Sequence, residues 1–126
     1  MAGTFTLDVL NAWLEKYRRA WESRNPVTAA DLFTDDAEYY WTPFEEPKRG
    51  PGEIARAWED ATSRQQDVHF SYTILAITDA TGIVHWHTAF TRMTTGKHVE
   101  LDGIIIAEFD ENHKCRVFRE WWHSSE

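Results

Sequence analysis

Apolar residues recur at three- and four-residue steps from Leu7 through Leu10, Leu14 and Tyr17 to Trp21, the spacing of a helix with one buried face. Thr6 is placed to cap its start, and Asp8 falls in the first turn, where the helix dipole favours a negative charge. Asn25-Pro26 stops this helix and starts a short second one, about Pro26 to Phe33, with proline at a position whose missing N–H costs nothing. The segment Ala37 to Thr42 carries three adjacent aromatics and reads as a strand that Pro43 terminates. From Pro43 to Gly52, three prolines and two glycines predict a solvated flap. Ile54, Trp58 and Ala61 then give the apolar face of a third helix, ending near Arg64.

From Val68 the period changes to two, which predicts strands at 68–78, 83–93, 97–109 and 115–123. Asp79-Ala80-Thr81-Gly82, Thr94-Thr95-Gly96 and the stretch Asp110 to Lys114 read as the turns between them. Short connections make these neighbours antiparallel, and strands of such length must twist and curl. The expected fold class is therefore α+β: a curved antiparallel sheet with the N-terminal helices against its concave side, forming a cone.

The 126 residues fit a single domain, 1–126, able to bury a substantial core. Seven tryptophans, four tyrosines and seven phenylalanines exceed what a core of this size usually consumes, and aromatic walls are what apolar ligand pockets are built from. A formal net charge of −8, with no basic cluster longer than a pair, argues against nucleic acid as a partner. No leader pattern opens MAGTFTLDVLNAW and no apolar run is long enough to span a bilayer, so the expectation is a soluble, cytoplasmic protein without a membrane partner. Cys115 stands alone, which excludes a disulfide framework and a cysteine metal cluster and reads as a buried or edge thiol. There is no phosphate loop, nucleophile elbow, zinc-protease helix or dinucleotide fingerprint, and no cofactor is expected.

This order of elements, with Leu32-Phe33-Thr34-Asp35-Asp36-Ala37, the strand ending Thr42-Pro43, the Arg49-Gly50 turn into the third helix and Phe109-Asp110 leading to Glu120-Trp121-Trp122, resembles the nuclear transport factor 2-like superfamily. More narrowly it is similar to the SnoaL-like branch, over essentially the whole chain. The resemblance implies a cone-shaped, cystatin-like pocket fold, shared by ketosteroid isomerase, polyketide cyclases, dehydratases, an epoxide hydrolase and noncatalytic binding modules, so the fold alone does not carry a function. It also implies dimerisation through the outer sheet face. By that likeness Thr42 occupies the place of the isomerase's general base and Ile105 that of its pocket acid, while Tyr17 matches the tyrosine of its oxyanion hole. Trp122 matches a pocket tryptophan.

With Ile105 inward, Val99, Leu101, Gly103, Ala107 and Phe109 share its face and Glu100 and Asp102 face out, unless a bulge at Gly103 reverses the phase. With Trp122 inward, Phe118 and Glu120 follow. Glu120 is then a carboxyl among apolar rings, where desolvation raises its pKa and suits it to proton transfer; the alternative pairs it with Arg116 or Arg92. His85 and His87 share one strand face, and His87 is a candidate proton carrier, but Val84, Trp86 and Phe90 form an equally good buried face. No further ligand pattern accompanies the two histidines, so no metal site is expected. The expected ligand is a small hydrophobic molecule, bound by Trp21, Trp41, Thr42, Phe44, Trp58, Ile105, Phe118 and Trp122, with Glu120, Tyr17 and His87 as the catalytic candidates. The chemistry would be that of a cofactor-free isomerase, cyclase or dehydratase acting on a carbonyl compound; the other reading is a noncatalytic ligand-binding or dimerisation module.

Overall fold

The computed structural model describes residues 4–126; the first three residues, where the segment read for a leader begins, lie outside the described residues. Helix α1 (Leu7–Glu22) is capped by the Thr6 hydroxyl, which accepts from the Val9 N–H at 3.2 Å, and buries Leu10, Trp13, Leu14, Tyr17, Ala20 and Trp21. Asn25 caps α2 (Pro26–Ala30) through its side-chain oxygen. This helix ends three residues before the predicted Phe33, because the Leu32 carbonyl is taken by the Cys115 N–H at 2.9 Å and the Trp13 indole N–H at 3.0 Å. Those two bonds swing the chain into β1 (Phe33–Tyr40), which therefore starts earlier than Ala37.

The expected flap contains a short strand, β2 (Lys48–Arg49), paired antiparallel to Glu38 and Tyr39 and tied by a 2.7 Å ion pair between Arg49 and Glu38. Gly50 follows at a φ of 72°, with Asp35 O only 2.9 Å from where a Cβ would sit, so both the backbone and the space favour glycine there. Helix α3 (Gly50–Thr62) buries Ile54, Trp58 and Thr62. Four long strands complete the chain: β3 (Gln65–Thr78), β4 (Thr81–Arg92), β5 (His98–Phe109) and β6 (Cys115–Ser124).

All six strands form one sheet in the order β2-β1-β6-β5-β4-β3. The pairs from β3 to β6 are antiparallel, as predicted, whereas β1 joins β6 in parallel. The helices pack on the inner face of this curved, unclosed sheet, and the core runs from Leu10 and Trp13 to Val84, Ile105 and Phe118. Cys115 is a buried thiol. No helix among the described residues is long and apolar enough to cross a membrane.

Pairing from β4 to β5 runs unbroken through Gly103, opposite Trp86, so the inward phase of Ile105 and Ala107 holds without a bulge. Gly103 is needed for a different reason: an added Cβ would lie 2.0 Å from Trp121 O and 2.9 Å from Trp122 Cβ. Gly103→Ala is expected to destabilise the fold by about 1–3 kcal/mol through overpacking. Gly52→Ala, where a Cβ meets nothing within 4 Å, is the control in the same urea titration. Equal midpoints for the two variants would refute the close approach.

Candidate functional site

The chain leaves the sheet after Tyr40, since Pro43 has no N–H to continue the ladder. β6 runs on for five residues past its last pair with β1, at Arg119. Beneath that divergence lies a cavity of about 130 Å³. Helix α1 contributes Tyr17 and Trp21 to its wall, and α3 contributes Trp58, Ala61 and Thr62. The sheet supplies Tyr39, Gln65, Trp86 and Leu101, and from β6 Glu120 and Trp122, while Trp41 comes from the residue just past β1.

Glu120 is the only carboxyl among these residues and is 7% exposed. Burial pushes its pKa up to about 8, and a hydrogen bond from the Tyr39 hydroxyl offsets part of that rise. Its Oε2 has no hydrogen-bond partner. The expected alternative, an ion pair with Arg116 or Arg92, does not form: Arg116 bonds Glu108 at 3.1 Å and Arg92 bonds Glu126 at 2.6 Å. A carboxyl without a cation in an aromatic wall holds its proton near neutrality, and just above neutrality becomes a desolvated base.

Two phenols adjoin it. The Tyr17 and Tyr39 hydroxyls lie 3.5 Å apart, and burial, reinforced by the Glu120 charge, raises both pKa values. They stay protonated and able to donate. The Trp21 indole donates to Gln65 Oε1 at 2.9 Å, while the Trp86 indole N–H has no partner.

Of the residues singled out from sequence, Tyr17, Trp21, Trp41, Trp58, Glu120 and Trp122 converge on the cavity. Ile105 and Phe118 are buried in the core; Phe118 stacks on Tyr39 with ring centres 4.6 Å apart and supports the wall rather than forming it. Three others lie elsewhere. Phe44 is 93% exposed, because the chain after Pro43 turns away from the sheet. Thr42 borders a neighbouring groove with Pro43 and Trp121 instead.

The expectation of a catalytic histidine is corrected by the phase of β4: Val84, Trp86 and Phe90 take the inner face, where they bury far more apolar surface. His85 and His87 therefore point outward, bonding the two Asp102 oxygens at 2.9 and 3.2 Å. These bonds hold the Asp102 carboxyl below the usual range. No group of three or more His, Cys, Asp or Glu among the described residues is arranged to hold a metal ion.

Tyr39, Trp86 and Gln65 were absent from the sequence-based site. Tyr39 could have been found, since it stands two residues from Trp41 and on one strand face with it. Gln65 carries no such signal, because its place depends on where β3 begins.

Residues 14–118 match the SnoaL-like domain. The chain belongs to the SnoaL-like domain family. No curated protein matches it by sequence. Solved structures share the fold at low identity. SalBIII, an epoxide hydrolase/cyclase-like enzyme with a role in pyran ring formation in the polyether salinomycin, is 13% identical, with 90% of this chain and 89% of that one aligned at a TM-score of 0.77. A hypothetical protein with a ketosteroid isomerase-like fold from Catenulispora acidiphila, in complex with trimethylamine, is 12% identical over 86% and 83% of the two chains, also at 0.77. A nuclear transport factor 2-like protein of unknown function from Exiguobacterium is 17% identical over 88% and 98%, at 0.74. The SnoaL-like chain thus has the ketosteroid isomerase-like, nuclear transport factor 2-like fold.

Proposed function

We propose that this SnoaL-like protein is a cofactor-free enzyme of the isomerase, cyclase or dehydratase type that enolises a small hydrophobic carbonyl compound, with Glu120 as the group that moves the proton. The observation that carries this reading is the buried Glu120 carboxyl, unpaired by any cation among the described residues and with a free oxygen, in the wall of an aromatic cavity beside two neutral phenols. In the ionised fraction, Glu120 takes a proton from the carbon next to the carbonyl. The C–H electron pair forms the new C=C bond as the carbonyl π pair moves onto oxygen, and Tyr17 and Tyr39 donate hydrogen bonds to the developing oxyanion. With a β,γ-unsaturated substrate, return of the proton to the γ-carbon isomerises it; with a β-hydroxy substrate, the C–O bond breaks as the enolate collapses, and the hydroxyl leaves as water with the proton that Glu120 returns. Neither outcome needs an external cofactor. The same reading takes residues 1–126 as one cytoplasmic domain that self-associates through the outer sheet face, where Trp121 is 44% exposed.

The test is hydrogen–deuterium exchange at the α-carbon of small cyclic ketones in heavy water, followed by proton NMR. Exchange should accelerate with pH up to about 8 and then level. Glu120→Gln should slow it by about 10²–10⁴-fold, the usual worth of a positioned acid–base group. Exchange equal to that of the buffer alone would refute the catalytic reading. The second reading, a noncatalytic binding module, draws on the mainly aromatic lining and on the trimethylamine complex of a protein with this fold. It requires that Trp122→Ala weaken ligand binding while Glu120→Gln leaves it unchanged.

A further inference from the structure

We infer that the cavity also binds a small methylated ammonium ion, held among the rings of Trp21, Trp41, Trp58, Trp86 and Trp122 beside the Glu120 carboxylate. This rests on the same reading of Glu120 as a titrating group in the cavity, and adds a second class of ligand to it.

The wall is made of aromatic rings packed edge-on or tilted against one another. Trp21 stands 5.9 Å from Trp58 and 5.7 Å from Trp86 between ring centres, and Tyr17 stands 5.3 Å from Trp58. Ring faces carry the negative part of the aromatic quadrupole and attract a cation within ~6 Å, most strongly when water is excluded. Lys48 already lies 5.8 Å from the Trp41 ring centre, a cation–π contact at this wall. A methylated ammonium gives up hydration more easily than a metal ion or a primary amine and has no N–H groups that need several acceptors. It suits a cavity of about 130 Å³ with little polar lining.

The carboxyl supplies the missing charge. Two basic side chains come near this wall: Arg119, which borders a shallow groove with Glu120, bonds Glu108 at 3.2 Å, and Lys48 lies over the Trp41 ring without lining the cavity. The titratable groups facing Glu120 across the cavity are the phenols of Tyr17 on α1 and Tyr39 on β1, which stay neutral. From α3, β3, β4 and β5 the cavity receives tryptophan, alanine, threonine, glutamine and leucine, none of which titrates. His85, Asp102 and His123 share a groove with Glu120 on its other side, where His85 is bound to Asp102. An entering cation therefore meets one carboxyl, which it drives to ionise. A neutral carbonyl ligand meets the same carboxyl with its proton on. The two protonation states of Glu120 thus select two kinds of guest for one cavity.

The experiment is calorimetric titration of the full chain with tetramethylammonium chloride, and with tert-butanol as the uncharged match, at constant ionic strength. Affinity for tetramethylammonium should rise about tenfold per pH unit up to about 8 and then level. Titrations near pH 7 in buffers of different ionisation enthalpy should show close to one proton released per cation bound. These two results come from the wild type alone. Glu120→Gln should abolish the pH dependence and weaken cation binding at least about tenfold at pH 8. Binding indifferent to pH, no proton release, or equal affinity for the two probes would overturn the inference. If tetramethylammonium fails to bind while cyclic ketones still exchange their α-protons, the cation site falls and the proposed enzyme stands. If ketone exchange is also untouched by Glu120→Gln, both fall together.

Discussion

The stability of the wild type is expected to fall as pH rises from about 4.5 to about 8, and Glu120→Gln is expected to remove that fall. In the unfolded chain Glu120 titrates near the ordinary glutamate value of 4.5, whereas in the fold burial pushes it to about 8. Between those values the native state holds a proton that the unfolded chain has released, so unfolding becomes more favourable with each step in pH. The contribution is fully present below the lower value and lost as pH passes the higher one. At ~1.4 kcal/mol per pH unit, the whole window is worth on the order of 5 kcal/mol, comparable with the entire stability of many domains. Glutamine keeps the shape and has no proton to lose, so near pH 8 the variant should unfold at higher urea than the wild type. Glu100 and Asp102, whose carboxyls sit below the usual range, act in the opposite sense and only at acid pH. Urea titrations near pH 5, 6.5 and 8 on both proteins measure the effect. Parallel pH profiles would mean that Glu120 is solvated in the native state, and would remove the basis of the proposed chemistry as well.

A residue that gains stability when its charge is abolished is an expensive residue to keep, which is why Glu120 draws attention as a functional group rather than a structural one. Its position was legible because the likeness to the isomerase put Trp122 in the pocket, which set the phase of β6 and brought Phe118 and Glu120 to the same side. The long strands were legible because alternation and turn residues are local signals. What escaped depends on pairing between distant segments. The parallel β1–β6 ladder brings Tyr39 beside Phe118 and Glu120, and no local pattern states that Tyr39 and Phe118 are register partners. The two-residue β2 is held by Glu38 and Tyr39 rather than by its own propensity. The face of β4 was balanced between two histidines and a tryptophan until the helices supplied an apolar surface for Trp86 to cover. Phe44 shows the converse case, an apolar residue that the loop geometry leaves in water.

Phe118→Ala is expected to cost about 3–5 kcal/mol, the range for truncating a buried aromatic where the surroundings cannot collapse. The ring is fully buried and meets others on several sides. It stacks on Tyr39 at 4.6 Å and on Tyr17 at 5.7 Å, and stands edge-on to Phe33 at 5.8 Å. Those neighbours belong to α1 and β1, whose backbones are fixed by other contacts, so they cannot close the gap. Two of them carry the phenols of the cavity, so the loss should reach function too: with the support gone, the Tyr17 and Tyr39 hydroxyls lose their shared position, and ketone exchange should slow even where the variant is folded. Phe118→Leu, which keeps most of the volume, should cost clearly less. The comparison belongs near pH 5, where Glu120 still holds its proton in the fold; near pH 8 its contribution is gone, and the same truncation should leave a large unfolded fraction. A cost below about 1 kcal/mol would show that the aromatic layer under the cavity repacks freely, and then neither the spacing of the two phenols nor the desolvation of Glu120 could be maintained by it.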